Sequence, residues 1–343
     1  MIPWNEVGAK LEQTRAQGRG VVLATHVNAD GDGLGSEIGL YYFLKSKNYQ
    51  VAMINNDPVP KKYRFLRGSA DIMLYDEGAP RDLIRQAGVF FVLDNSSPAR
   101  LGKLLPAVQE SAAFRICIDH HVDVDPFWNL NCVDTDAAAS GQLVYQAVKA
   151  LKDMPGGPGE ITPEIAEAIY VSFVTDTGHF RFSKTTPQVH RIIAELMEKG
   201  SVSPPKIYRA LFEGVTPGFN RMVGYALADA HYEYDGRFAW ARLTHGQLQE
   251  CDAYEDDTSD LVNMLLAVDG VRAAALFKEL PDGKTKVSLR SIGDTDINRL
   301  AVRLGGGGHL NASGILMSGP FEQSIRKVVE GMKELFAPAQ STS

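Results

Sequence analysis

Three apolar runs in this chain each end in ionisable residues, and no other feature limits the fold so tightly. Val21 to Thr25 leads into His26-Val27-Asn28-Ala29-Asp30-Gly31-Asp32-Gly33-Leu34-Gly35-Ser36. Gly88 to Leu93 leads into Asp94-Asn95-Ser96, and Phe114 to Ile118 leads into Asp119-His120-His121. Continuous apolar runs mark parallel strands covered on both faces. Open parallel sheets bind ligands beyond the carboxyl ends of their strands. The expected fold is therefore α/β, and 343 residues suffice for two domains. A parallel-sheet domain is expected at 1–185, a helical connector at 186–225 and a smaller α/β substrate-binding domain at 226–343, with a cleft between the two domains.

The first of the three runs reads as strand, loop and helix, the helix covering Glu37 to Leu44. One imidazole and two carboxylates crowd the loop. Gly31, Gly33 and Gly35 are expected to let it fold tightly, since positive φ costs glycine little. The helix N-terminus adds free N–H groups and a positive dipole end. Turns rich in Asp and Gly are ordinary loop chemistry when alone. Convergence with two further acidic strand ends points instead to a metal-bound anion site. Downstream, a helix is expected from Ala138 to Leu151, with Thr135 or Asp136 near its cap. Thr162-Pro163-Glu164 starts another, which delivers Thr175-Asp176-Thr177-Gly178 at its far end.

His26, Asp30, Asp32, Asp94, His120 and Asp176 form an oxygen-rich set with two imidazoles and no thiolate. Such a set suits Mn²⁺ first, then Mg²⁺, Co²⁺ or Fe²⁺. Four carboxylates exceed what one divalent ion needs, so two ions sharing one Asp are expected. A second histidine beside a ligand histidine can donate to a phosphoryl oxygen or to the leaving group. The residues point to a dinuclear metal phosphohydrolase.

Composition removes other classes. A net charge of −7 argues against gripping long nucleic acid by a global basic field. No apolar run approaches the ~20 residues that span a bilayer, and Met1 to Gly20 is too charged for a signal peptide. Cys117, Cys132 and Cys251 lack paired spacing, which fits a reduced compartment and excludes a thiolate zinc site. The cytoplasm is the expected location.

In the second half, Gln188 to Lys199 and Pro204 to Phe212 read as helices, and Arg237 to Leu243 as a strand. Asp260 to Val268 is helical, and a hairpin turns at Pro281-Asp282-Gly283. A helix over Asp296 to Leu304 precedes Gly305-Gly306-Gly307-Gly308-His309, and Phe321 to Phe336 forms the last helix. Consecutive glycines cost backbone entropy. They make sense where the backbone must approach an anion closely.

The series His26-x-x-x-Asp30-x-Asp32, Asp94, Asp119-His120-His121 and Asp176 resembles the four motifs of the DHH phosphoesterase superfamily. The glycine run with His309 resembles the DHH-associated C-terminal domain. The resemblance implies that His26, Asp30 and Asp94 hold one metal, and that Asp32, Asp94, His120 and Asp176 hold the other, Asp94 bridging. It implies that His121 touches the scissile phosphate and that Asp119 orients the adjacent histidine. It further implies that Arg290, Ser291, Gly306, Gly307, Gly308 and His309 bind the terminal phosphate or base of a nucleotide. Ala29 departs from the proline that many members carry, which alters loop stiffness rather than ligation.

The whole is similar to NrnA-type oligoribonucleases, which cut short RNA and remove the 3′-phosphate of 3′-phosphoadenosine 5′-phosphate (pAp). Short single-stranded RNA or small nucleotides are then the expected partners, with no long duplex and no membrane. A homodimer is compatible with the chain, although no segment demonstrates one. A soluble cyclic-dinucleotide phosphodiesterase is the alternative activity. A catalytically silent nucleotide sensor would have lost ligands that are all present here. The Ser-Arg-Lys-Lys-Gln segment of manganese pyrophosphatases is absent, and RecJ-type exonucleases need further modules.

Overall fold

The computed structural model describes residues 2–122, 124–252 and 259–336, apart from the side chains of Ser259, Asp260 and His309. The chain divides into two compact units, Met1–Glu213 and Gly214–Ser343. The first runs α1 (Trp4–Ala16), β1 (Val21–Ala24), α2 (Gly31–Ser46), β2 (Val51–Asn55), β3 (Ile72–Leu74), α3 (Ala79–Gln86), β4 (Val89–Leu93), α4 (Leu105–Glu110), β5 (Phe114–Asp119), β6 (Leu130–Val133), α5 (Ser140–Leu151), α6 (Pro163–Asp176), α7 (Pro187–Gly200) and α8 (Pro204–Phe212). Its six strands are all parallel, in the order β3-β2-β1-β4-β5-β6. The order reverses between β1 and β4, which is where such sheets open a ligand crevice at their carboxyl edge.

The apolar runs are continuous because both faces of the sheet are covered. Val21, Leu23, Val89, Phe91, Leu93, Ile116 and Ile118 pack into one core with residues of α1, α2, α5 and α6. Their neighbours Val22, Ala24, Phe90, Val92 and Cys117 pack into a second core with Ile84, Leu101, Leu104 and Val108. Alternate residues point to opposite faces, so each strand feeds both cores.

Helix α2 begins earlier than the sequence suggests. Asp30 is its N-cap, accepting from the N–H groups of Asp32 (3.0 Å) and Gly33 (3.1 Å). Gly31, Gly33 and Gly35 are thus helical, and none has positive φ; the left-handed residue of the loop is Asn28, at φ 56°. These glycines serve close approach instead. A Cβ at Gly33 would lie 2.3 Å from Thr25 Oγ1, and one at Gly35 would lie 2.4 Å from the Ala168 carbonyl oxygen. Interhelical distance is set by the side chains at the contact. The missing Cβ atoms let α2 lie against the end of β1 and against α6.

Helix α5 also differs from expectation. It begins at Ser140 rather than near Ala138, and neither Thr135 nor Asp136 caps it. Thr162 does cap α6, accepting from Ile165 N–H. Residues 186–225 divide between the units, with α7 and α8 in the first and α9 in the second.

The second unit runs α9 (Pro217–Ala228), β7 (His231–Glu233), β8 (Phe238–Leu243), α10 (His245–Cys251), α11 (Ser259–Leu266), β9 (Ala273–Glu279), β10 (Thr285–Ser291), α12 (Asn298–Arg303), β11 (Gly307–His309), β12 (Ala312–Met317) and α13 (Phe321–Phe336). Its sheet has the order β11-β12-β10-β9-β8-β7 and is antiparallel except at β8–β9. No helix of the described residues is long and apolar enough to cross a membrane.

One buried acid ties α2 to the sheet. Asn55, at the end of β2, donates to Glu37 Oε2 (2.7 Å) and accepts from Thr25 N–H (3.0 Å). Glu37 Oε1 has no partner. Burial raises the Glu37 carboxyl to about 8, against the lowering effect of the Asn55 hydrogen bond. The folded chain therefore keeps a proton that the unfolded chain releases near the ordinary value of 4.5. Stability is unaffected below that value and falls as pH rises toward about 8, by on the order of a few kcal/mol. Glu37→Gln carries no charge at any pH. It is expected to match the wild type in acid and to exceed its stability progressively toward mild alkali. Urea unfolding across that window checks this, and a difference independent of pH refutes it.

Candidate metal centre

The carboxyl edge of the first sheet gathers residues from five segments. His26 follows β1, Asp30 and Asp32 open α2, Asp94 follows β4, His120 and His121 follow β5, and Asp176 ends α6. His26, Asp30 and Asp94 offer ligand atoms all within 4.8 Å of one another, as do Asp32, His120 and Asp176. Asp94, His120 and His121 form a third such group.

Each candidate ligand histidine has one ring nitrogen committed to the backbone. His26 Nδ1 lies 2.8 Å from the Val27 carbonyl oxygen, and His120 Nδ1 lies 3.2 Å from that of Ala137. A carbonyl only accepts, so Nδ1 carries the proton and Nε2 presents its lone pair. His26 Nε2 faces Asp94 Oδ2 at 3.4 Å and Asp30 Oδ1 at 3.9 Å. His120 Nε2 faces Asp176 Oδ2 at 3.4 Å, and Asp32 Oδ2 and Asp94 Oδ1 at 3.6 Å each. Asp94 thus turns one oxygen toward each imidazole. Lone pairs aimed at carboxylate oxygens across such gaps repel unless cations or protons sit between them. The donor set of carboxylates and imidazoles fits hard-to-borderline divalent ions.

The carboxylates are not equivalent. Asp32 is tightly bound by donors. Its Oδ1 accepts from Ser172 Oγ (2.5 Å), Gly141 N–H (3.1 Å) and Ser36 Oγ (3.2 Å), and its Oδ2 from Ser140 N–H (2.7 Å). It therefore does for α5 what a local cap would do, from more than a hundred residues upstream. Asp94 adopts φ 58°, a left-handed conformation that costs a non-glycine residue energy and clusters at functional sites. Ser140 Oγ donates to its Oδ1 (3.0 Å).

Electrostatics follow from this crowding. Burial, then the charges of Asp32, Asp30, Asp119 and Asp176, push Asp94 well above the usual carboxylate range. Enclosure among protein atoms and the charges of Asp32 and Asp30 raise Asp176 likewise, against the opposing charges of His121 and Lys184. His26 is lowered by burial, with the Arg100 charge acting in the same direction and that of Asp30 against it. Asp119 behaves differently. Burial alone would raise it, but the hydrogen bond and charge of His121 outweigh that and hold it low. His121 Nδ1 lies 2.6 Å from Asp119 Oδ1, which also accepts from the His120 N–H (2.8 Å).

Two cations near the centre carry no motif and escape sequence reading. Arg100 lies on the turn after β4, where its carbonyl accepts from Val27 N–H (2.8 Å) and its charge reaches His26. Lys184 acts on Asp176 from the segment beyond α6. Ser140 and Ser172 also went unmarked, since hydroxyls that grip a carboxylate from other helices leave no local pattern.

The remaining expected residues lie in the second unit. Arg290 and Ser291 end β10. Ser291 Oγ donates to the Thr295 carbonyl (2.6 Å) and accepts from Asn311 Nδ2 (2.8 Å), so its hydroxyl helps hold the local fold. Gly307 and Gly308 lie on β11, an edge strand paired with β12 alone. A Cβ at Gly306 would lie 2.2 Å from the Gly314 carbonyl oxygen, and one at Gly308 would lie 2.4 Å from that of Ala312. Two of the glycines are thus required by their own hairpin, while Gly307 faces open space. The His309 side chain lies outside the described residues.

Comparisons with known proteins agree with this layout. The family model described as "DHH family, N-terminal domain" matches residues 20–173, and the DHHA1 domain model matches residues 242–337. The bifunctional oligoribonuclease and PAP phosphatase NrnA of Thermus thermophilus is 31% identical over 332 residues, covering 96% of this chain and 94% of that protein. Its Bacillus subtilis namesake is 27% identical, covering 86% and 88%. The crystal structure of an exopolyphosphatase-related protein from Bacteroides fragilis superposes with a TM-score of 0.89 at 29% identity, over 98% of this chain and 97% of that one.

If the carboxylates repel without cations, removing one should relieve the fold. Asp94→Asn is expected to raise the melting temperature of chelator-treated protein by a few °C, the scale of about 1 kcal/mol. Added Mn²⁺ should stabilise the wild type and have much less effect on the variant. Thermal unfolding with and without the metal checks both. Equal Mn²⁺ stabilisation of the two proteins would contradict the shared position of Asp94.

Proposed function

This chain belongs to the DHH family, and from that premise we propose that it is a metal-dependent phosphoesterase that hydrolyses short RNA oligonucleotides to mononucleotides and removes the 3′-phosphate of pAp. The observation that carries the reading is Asp94, which turns Oδ2 toward His26 Nε2 and Oδ1 toward His120 Nε2. His26, Asp30 and Asp94 would hold one divalent ion, and Asp32, Asp94, His120 and Asp176 a second. Mn²⁺ suits the set best, with Mg²⁺, Co²⁺ or Fe²⁺ as substitutes. When bound, such ions acidify a water and offset charge on the phosphoryl oxygens.

The chain's own groups do the rest. The short bond to Asp119 fixes the His121 ring, so that it meets the scissile phosphate in one orientation. With Nδ1 engaged, His121 can serve the leaving oxygen only through Nε2. Arg100 and Lys184 add positive charge beside His26 and Asp176, which favours an anionic substrate there. Arg290, Ser291, the backbone of Gly306, Gly307 and Gly308, and His309 would bind the terminal phosphate or base of the nucleotide. An acidic chain with a local anion site suits short single strands rather than long duplexes, and the reading places the work in the cytoplasm.

The decisive assay is Mn²⁺-dependent hydrolysis, run in parallel on an RNA dinucleotide, an RNA pentamer, pAp, cyclic di-AMP and pyrophosphate. Mononucleotides from the short RNAs and phosphate from pAp are expected. Turnover confined to cyclic di-AMP or pyrophosphate would overturn the substrate assignment. Asp94→Ala is expected to lose nearly all turnover, and normal rates in that variant would end the dinuclear reading. His309→Ala is expected to raise KM for short RNA by about tenfold or more, with a smaller effect on kcat, as lost uniform binding does. An unchanged KM would remove His309 from the substrate site.

A further inference from the structure

The opposite edge of the first sheet carries a second feature. A cavity of about 370 Å³ is lined by α1 and by the residues that enter the strands: Arg19 before β1, Gly88 before β4, and Asn129 before β6. Lys10 and Arg115 join Arg19 in its wall, and no lining residue is acidic. All three cations are half-buried, and none forms an ion pair among the described residues. The chain has 42 acids against 35 lysines and arginines. A hollow with three cations and no acid is therefore a local departure from the chain's character.

The cations are held in place. Lys10 Nζ lies 4.4 Å above the Phe114 ring and donates to Gln13 Oε1 (2.8 Å). Arg19 donates from Nε to the Gln86 carbonyl (3.1 Å) and from Nη2 to that of Ala87 (2.6 Å). The Arg115 guanidinium lies 4.2 Å from the Phe127 ring centre, with its buried Nε unpartnered. A bound anion would balance the charge of half-buried cations that no acid of the wall offsets. A tetrahedral dianion presents oxygens in several directions, which suits cations arriving from α1, from the turn before β1 and from β5. The volume is near the lower end for small-molecule sites, roughly 300–1,000 Å³.

We propose that this hollow is a second ligand site, separate from the metal centre, for a phosphate-bearing anion of mononucleotide size or smaller. Equilibrium dialysis of the metal-loaded full chain against AMP tests it, with adenosine and inorganic phosphate as parallel probes. Lys10→Ala combined with Arg115→Gln is expected to take up one AMP fewer than the wild type, or to bind that one about tenfold or more weakly, the scale of a charge-assisted hydrogen bond. Inorganic phosphate should show the same difference, and adenosine none. Hydrolysis of short RNA should be unchanged, since neither residue belongs to the metal centre. Lys10→Glu, a single surface change, repeats the comparison should the double variant fold poorly. Equal AMP uptake by wild type and variants overturns the proposal, as does a loss seen equally with adenosine. Because the readout is the difference in uptake, it stands or falls apart from the identity of the hydrolysed substrate.

Discussion

At the carboxyl edge of the first sheet, Asp32, Asp94 and Asp176 turn oxygens toward the same imidazole nitrogen, at 3.4–3.6 Å. Two like charges about 4 Å apart repel by on the order of 4 kcal/mol at an effective dielectric of about 20. Protonation relieves part of this, since Asp94 and Asp176 are pushed above the usual carboxylate range, and the fold has to hold the remaining charges together before any cation arrives. It does so with rigid elements rather than loops. Asp32 is fixed by four donors from α2, α5 and α6. Asp94 sits in a strained left-handed conformation at the end of a fully buried strand. Strain and repulsion of this kind persist only where the surroundings over-determine the geometry, and the doubly covered sheet supplies that constraint.

Much of this was legible in the sequence because its causes are local. Alternate burial on two covered faces makes β1, β4 and β5 read as unbroken apolar runs, and the residues that follow them are the candidate ligands His26, Asp94 and His120. Thr162 before Pro163 marks a helix start for reasons contained within a few residues. The exceptions have non-local causes. Gly31, Gly33 and Gly35 look like loop glycines, yet their partners are Thr175, Thr25 and Ala168. No pattern near residue 31 reveals that another helix will come that close. The start of α5 has the same kind of cause, since its N–H groups are satisfied by Asp32 rather than by a neighbour.

The glycine run in the second unit shows how a right residue can have a mixed cause. Four glycines suggest a backbone that must approach something closely, and it does. For Gly306 and Gly308 that something is the β12 strand of the same hairpin. Gly305 also has open space but takes a left-handed φ of 82°, so Gly307, on an edge strand, is the one whose bareness neither a contact nor the backbone conformation explains. The anion-binding role proposed for the run therefore rests on Gly307 more than on its neighbours.

Asp30 and Asp32 show how one motif divides its work. Both open α2, two residues apart, and both are expected to reach a metal. Asp30 has an exposed side chain and caps only its own helix. Asp32 is buried and joins three helices through one carboxylate. With Oδ1 taken by three donors, only Oδ2 faces His120. A carboxylate used this way cannot rotate to follow an ion, so the position near His120 is pre-set by the fold. At Asp30 the oxygen that faces His26 Nε2 at 3.9 Å is the same Oδ1 that accepts from the Asp32 and Gly33 N–H groups, so capping restrains that carboxylate through its own helix alone. The two halves of the centre are therefore held differently, the His120 side by a carboxylate that joins three helices and the His26 side by one that caps a single helix.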